Sequence, residues 1–225
     1  MTQNGLPYFS EAEIAAVLEW GPLIDTVEAA MASFSAGDVA QPVRQMVPVP
    51  GHDAIIAAMP AVGEAMAVKV VTLYHDNAGT GLPTHQAVIL VFDKTNGSPL
   101  ATLDGRLIIE MRTAAGSAAA VRKCAVSEPE IVTIMGNGVQ ARAHVEALAA
   151  VRSWRERRLW LRNPDTGAAV ADEHGATFVA VAEQAVRDPD IAACTTSATE
   201  PILSGGWLKP DDFWRVGRLE RRGGL

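Results

Sequence analysis

The chain has 225 residues, of which 48% are hydrophobic and 20% charged, a composition of folded globular proteins that excludes a disordered chain. That length suits one large domain or two modest ones. A net charge of −7 argues against nucleic acid as a main partner, because no domain-wide basic surface is available. No uninterrupted apolar run is long enough to span a bilayer, so no membrane partner is expected.

The N-terminal "MTQNGLPYFSEAE" has neither the basic start nor the apolar stretch of a signal peptide. Ser10-Glu11-Ala12-Glu13 then forms a capping box, followed by Ile14, Val17 and Leu18 at helical spacing. A second helix starts at Pro22, with Leu23, Val27, Ala30, Met31 and Phe34 on one stripe and Gly37 as its stop. From 42 to 104 the pattern changes to short strands: "VRQMVPVP", "DAIIAAMPAV", "MAVKVVTLYH", "HQAVILVFD" and "PLATLDG". Asn96-Gly97 between the last two is a hairpin signal. "IIEMRTAAGSAAAVRKC" follows as a helix whose small side chains suit close packing.

After "SEPE" the grammar becomes β-α-β-α, with strands at 131–135, "RRLWLRN", "TFVAV" and "IAACTTS". Such alternation predicts a parallel sheet covered by helices on both faces. The expected fold class is therefore α/β, a Rossmann-type sheet of about four strands preceded by an α+β domain. The expected domains are 1–125, 126–210 and a basic tail at 211–225. Cys124 and Cys194 lie far apart, in apolar stretches and in no metal-ligand spacing, so both are expected to be buried free thiols in a soluble cytoplasmic protein without a metal.

Two features carry chemistry. Gly136-Asn137-Gly138-Val139-Gln140-Ala141 fits G-x-G-x-x-G/A after an apolar strand and at the start of a helix. Gly136 permits the tight turn, Gly138 lets the backbone approach a pyrophosphate, and Ala141 is small enough for helix to pack on strand. A purely structural turn is the alternative. At the end of the next strand, Arg162 and Asn163 stand where NAD-binding folds carry an acid, which favours NADP(H) over NAD(H); Asp165, slightly later, competes. The second feature is a set of cations among apolar residues: Lys69 on a strand face with Ala67, Val71 and Leu73, Arg112 in the Ala-rich helix, and Arg44 in "QPVRQMV". Convergent cations in an apolar pocket would grip a small carboxylate. For Lys69 the plain alternative is an edge strand with its ammonium reaching water.

With these residues in view, the chain resembles the ornithine cyclodeaminase/mu-crystallin family, most closely its ketimine-reductase-like branch. The matching stretches are "AQPVRQMVPV", "MPA", "AVKVVTLYHDN", "LPTHQAVILVFD", "GSPLATLDGRLIIEMRTAAGSA", "GNGVQARAH" and "TTSATEPILSGGWLKP". The resemblance implies a first domain that binds substrate and makes a homodimer through its sheet, and a Rossmann domain for NAD(P). It implies substrates of amino-acid metabolism that carry a C=N bond. Arg44, Lys69 and Arg112 match the family's active-site and carboxylate-binding cations, with Lys69 as the catalytic group. Thr113 matches the residue near the nicotinamide, residues 136–141 the phosphate loop, Arg162 the 2′-phosphate contact, and Thr196, Ser197 and Ala198 the loop passing the cofactor.

After Lys209-Pro210 the resemblance stops, and "DDFWRVGRLERRGGL" reads as a short, basic, unpatterned terminus. The expectation is an incomplete Rossmann domain, lacking walls around the nicotinamide and better suited to binding than to turnover. The reading is an NAD(P)H-dependent oxidoreductase that reduces a cyclic imino acid of the ketimine, pyrroline- or piperideine-2-carboxylate class. The alternatives are an ornithine cyclodeaminase and a non-catalytic NADPH or small-ligand binder.

Overall fold

The computed structural model describes residues 5–125, 128, 130–196, 198, 200–207 and 213–216. Its contacts divide the chain into two compact units, Met1–Glu19 with Ala29–Ile109, and Trp20–Glu28 with Glu110–Leu225.

In the first unit, β1 (Tyr8–Phe9) leads into α1 (Glu11–Ala15). The capping box is present in both directions: Glu13 N–H donates to Ser10 Oγ, and Ser10 N–H donates to Glu13 Oε2. Helix α2 (Trp20–Ala36) runs through the division between the units and stops at Gly37, which is left-handed with φ of 87°. The expected strands follow as β2 (Gln45–Pro48), β3 (Ala54–Val62), β4 (Met66–Tyr74), β5 (His85–Phe92) and β6 (Pro99–Asp104). The Asn-Gly turn between β5 and β6 is organised by Asp93. Its carboxylate accepts bonds from Thr95 Oγ1 and N–H and from Asn96 Nδ2, and these bonds hold it below the ordinary 3.8.

These strands form one six-stranded sheet in the order β1-β6-β5-β4-β3-β2. All neighbours are antiparallel except β1, which lies parallel to β6. Two residues are too few to show a period, so β1 leaves no strand signal in the sequence. Strand β4 lies inside the sheet, paired on both sides, which overturns the edge-strand explanation of Lys69. Strand alternation gives the sheet two unlike faces. The face bearing Lys69 also carries the buried Ala57 and Val71. The opposite face exposes Tyr8, Val47, Ile56, Val62 and Val88.

In the second unit, α3 (Arg106–Cys124), which also runs through the division, precedes β7 (Ile131–Met135), α4 (Val139–Val151) and β8 (Glu156–Trp160). Then come α5 (Gly167–Glu173), β9 (Thr177–Phe178), α6 (Ala182–Ala185), β10 (Ile191–Cys194) and β11 (Phe213–Val216). The sheet order is β11-β10-β7-β8-β9, parallel throughout. Strand β7 sits at its centre, with two strands on either side, in the manner of a doubly wound sheet. Val132, Thr133, Ile134 and Met135 are all buried, which is why the run is apolar without alternation. The buried Thr133 hydroxyl donates to Ala185 O at 2.6 Å. The core joins β7, β8 and β10 to the small residues of α3 and to Ile24 and its neighbours on α2. Near the end of α3, Arg122 pairs with Asp25 and Glu28, while Lys123 Nζ lies 2.8 Å from Glu28 Oε1. Bonds from Lys123 and then Arg122 pull the Glu28 carboxyl below the usual glutamate range.

Two expectations need correction. Strand β11 lies in the segment read as an unpatterned tail: "FWRV" is aromatic and β-branched, and its register on β10 pairs Phe213 with Ile191. Its charged surroundings hid a four-residue strand. Of the two free thiols, Cys194 is buried but Cys124 is exposed, because it closes the last turn of α3. Burial pushes the Cys194 thiol up to about 11, so it stays protonated at neutral pH. One thiol per chain, Cys124, should therefore react rapidly with a thiol reagent in the native protein, and both should react in denaturant. Two fast native thiols would contradict this packing.

Candidate functional site

In a doubly wound sheet the crevice lies outside the carboxyl ends of the strands where the winding reverses. Here the reversal falls between β7, from which the sheet runs outward to β8 and β9, and β10 on its other side. Residues 136–141 leave β7 at that point. Gly136 has φ of +136°, and its N–H donates to Trp160 O at 2.7 Å. A Cβ at Gly136 would lie 2.7 Å from Thr195 Oγ1 and 2.9 Å from Thr195 O, so both space and conformation demand glycine. Thr195 is held there by its own bonds: its N–H and its hydroxyl both donate to Met135 O, at 2.8 and 3.0 Å.

Gly138 differs in kind. Its φ of −83° is open to any residue, and a Cβ built there meets nothing within 4 Å. Among the described residues, no protein atom requires a glycine at that position. Gly138 is also the N-cap of α4, which has no side-chain cap and no acidic residue in its first turn. Ala141 N–H and Arg142 N–H both donate to Gly138 O, so the amides of Gly138, Val139 and Gln140 lie ahead of the helical ladder. The result is an uncapped, positively polarised helix end beside an open glycine, which fits a pyrophosphate. Ala141 is fully buried, as the packing of α4 on the sheet requires.

Arg162 is exposed just beyond β8, whose last residue, Trp160, bonds the Gly136 amide. Asn163 acts locally, since its Oδ1 accepts Asp165 N–H at 3.1 Å and caps the short turn Pro164–Thr166. Asp165 is exposed. Thr196 is half-buried after β10, with Ala198 N–H donating to its hydroxyl at 3.3 Å; Ser197 lies outside the described residues. The glycine loop, Arg162 and Thr196 are thus gathered at the carboxyl ends of β7, β8 and β10. Thr195, which carries no signal in the sequence, is the residue that shapes the loop.

The cations fall in both units. In the first, Lys69 is half-buried at the centre of β4, flanked across the sheet by Met59 and Ile89. Arg44 is exposed immediately before β2. In the second unit, Arg112 is exposed on α3 and Thr113 is half-buried beside it. One turn later the same helix carries a pair that sequence reasoning missed. Ser117 Oγ lies 2.7 Å from His144 Nε2, and both residues are buried.

A Gly-x-Gly-x-x-Ala loop at the switch point of a doubly wound parallel sheet defines a Rossmann-type unit. The model of the ornithine cyclodeaminase/mu-crystallin family matches residues 9–213, and the chain belongs to that family. Mouse ketimine reductase mu-crystallin is 39% identical over 196 residues, covering 84% of this chain and 63% of the mouse protein. Delta(1)-pyrroline-2-carboxylate reductase 2 of Burkholderia ambifaria is 32% identical over 166 residues, covering 74% of this chain and 53% of that protein. The structure of Thermococcus litoralis Delta(1)-pyrroline-2-carboxylate reductase in complex with NADH and L-proline superposes with a TM-score of 0.86 at 32% identity. That match covers 94% of this chain and 68% of that one. The chain spans 63% of the length of the mouse relative.

The two glycines should respond differently to alanine. Gly136→Ala forces a strained φ against Thr195 and should destabilise the second unit by about 1–3 kcal/mol. Gly138→Ala should change stability by no more than about 1 kcal/mol, since only the N-cap preference is lost. Thermal unfolding of the two variants checks this, and equal losses would contradict the geometry.

Proposed function

We propose that the protein is an NADP(H)-dependent oxidoreductase that reduces a cyclic imino acid of the ketimine, pyrroline- or piperideine-2-carboxylate class. The observation that carries this reading is the open glycine before an uncapped helix at the sheet's switch point. The relatives support it, being named as reductases of such compounds. Residues 136–141 would hold the pyrophosphate, Arg162 the 2′-phosphate, and Thr113, Thr196, Ser197 and Ala198 the nicotinamide side. The bound cofactor supplies a hydride to the imine carbon.

The chain's own groups would prepare that carbon. Arg112 would hold the substrate carboxylate and fix which face of the ring is presented, and Arg44 is a further cation suited to such an anion. Lys69 keeps a proton on the imine nitrogen, so that the carbon accepting the hydride belongs to an iminium. The first unit would serve substrate binding and homodimerisation, with Tyr8, Val47, Ile56, Val62 and Val88 giving the sheet's outer face an apolar surface for a second copy. Among the described residues no helix is long and apolar enough to cross a membrane. Both cysteines are free, which fits the reducing cytoplasm.

Steady-state oxidation of NADPH with Delta(1)-pyrroline-2-carboxylate tests the proposal. Arg112→Ala should raise KM for the imino acid about tenfold or more and leave KM for NADPH nearly unchanged. Arg162→Ala should raise KM for NADPH about tenfold while NADH shifts by less than about twofold. Ammonia release from L-ornithine without net NADPH oxidation, or cofactor binding with no turnover, would overturn the reductase reading.

A further inference from the structure

Helix α3 and helix α4 are joined by a buried polar chain inside the second unit. His144 lies on α4, one turn after Gln140 of the glycine loop, and its Nδ1 is 2.6 Å from Gln140 O. A carbonyl can only accept, so Nδ1 carries the hydrogen. In the uncharged ring Nε2 is then an acceptor, and Ser117 Oγ–H donates to it across 2.7 Å. Ser117 lies one turn after Thr113 on α3; its single hydrogen goes to Nε2, so the 3.5 Å approach of its Oγ to Thr113 O adds no second bond. His144 is 3% exposed and Ser117 2%, with Ala114, Ala115, Ala118, Ala119 and Val121 buried around Ser117 on the same helix. Apolar packing between such small side chains fixes separation well but lets helices slide, whereas a short directional bond fixes register.

We propose that the Ser117–His144 bond is a positioning device that couples cofactor seating to the substrate grip. One end of the chain is the first turn of α4, where the dinucleotide's phosphates would sit. The other end is Ser117 on α3, the helix that bears Arg112 and Thr113. Movement of α4 as its N-terminus takes up the anion is passed through the imidazole to the α3 backbone. Neither Ser117 nor His144 needs to touch ligand for this. The inference rests on the cofactor and carboxylate roles proposed above.

The test uses the full 225-residue chain, NADPH as one ligand and L-proline as the other, a pair that forms a dead-end complex without turnover. NADPH affinity is measured calorimetrically with and without saturating L-proline. In the wild type, L-proline should tighten NADPH binding by at least about fivefold. Ser117→Ala, which swaps one small residue for another in an alanine-rich helix, should leave NADPH affinity alone within about threefold and bring the tightening close to one. Ser117→Thr, which restores the hydroxyl, should restore it. If Ser117→Ala does not fold, His144→Asn keeps a donor for Gln140 O while withdrawing from Ser117, and the same ratio is read. A merely structural pair would lower Tm and both separate affinities and leave the ratio unchanged, and that result overturns the proposal. Tight NADPH binding by the wild type with no response to L-proline also overturns it, while leaving the cofactor site standing. Failure of the wild type to bind NADPH at all overturns the functional reading together with the coupling.

Discussion

The second unit depends on one close approach. Thr195, at the end of β10, is bonded twice to Met135 O at the end of β7, and its hydroxyl occupies the space a side chain at position 136 would need. That contact permits only glycine at 136 and sets the angle at which the chain leaves the sheet. A loop that merely turned a corner would need Gly136 alone. The second glycine has no steric reason among the described residues, and the lack of a side-chain cap on α4 leaves the helix end for something else. The proposed cofactor role follows from that surplus: the chain gives up a capping side chain where a cap would ordinarily stabilise the helix.

The first unit makes the corresponding concession with charge. Lys69 occupies the middle of a paired strand between Met59 and Ile89, on the face that buries Val71. A lysine at that place is unusual, since lysine is among the residues least often buried. The opposite face leaves Val47, Ile56 and Val88 exposed.

Much of this was legible in the sequence, for reasons that differ by element. Strands β3 to β6 carry long runs of branched and alternating side chains, so period and punctuation locate them. The capping box reads directly because Ser10 and Glu13 act within four residues of chain. The glycine loop reads because strand, glycines and helix are contiguous. What stayed hidden depends on residues brought together from afar. Thr195 is an ordinary threonine until β10 is laid beside β7, and Ser117 is one small residue in an alanine run until His144 meets it. Strands β1 and β11 are two and four residues long, too short for a period. Cys124 was misjudged because an apolar sequence neighbourhood does not reveal which side of a helix end faces solvent.

The central claim is that the amides at the start of α4 hold a dinucleotide pyrophosphate. Backbone amide resonances of the isotopically labelled protein, followed while NADPH is added, address it residue by residue. The largest shifts are expected at Gly136, Asn137, Gly138, Val139 and Gln140, with smaller ones at Arg162 and Thr196. Shifts confined to other parts of the chain, or none at saturating NADPH, would contradict it.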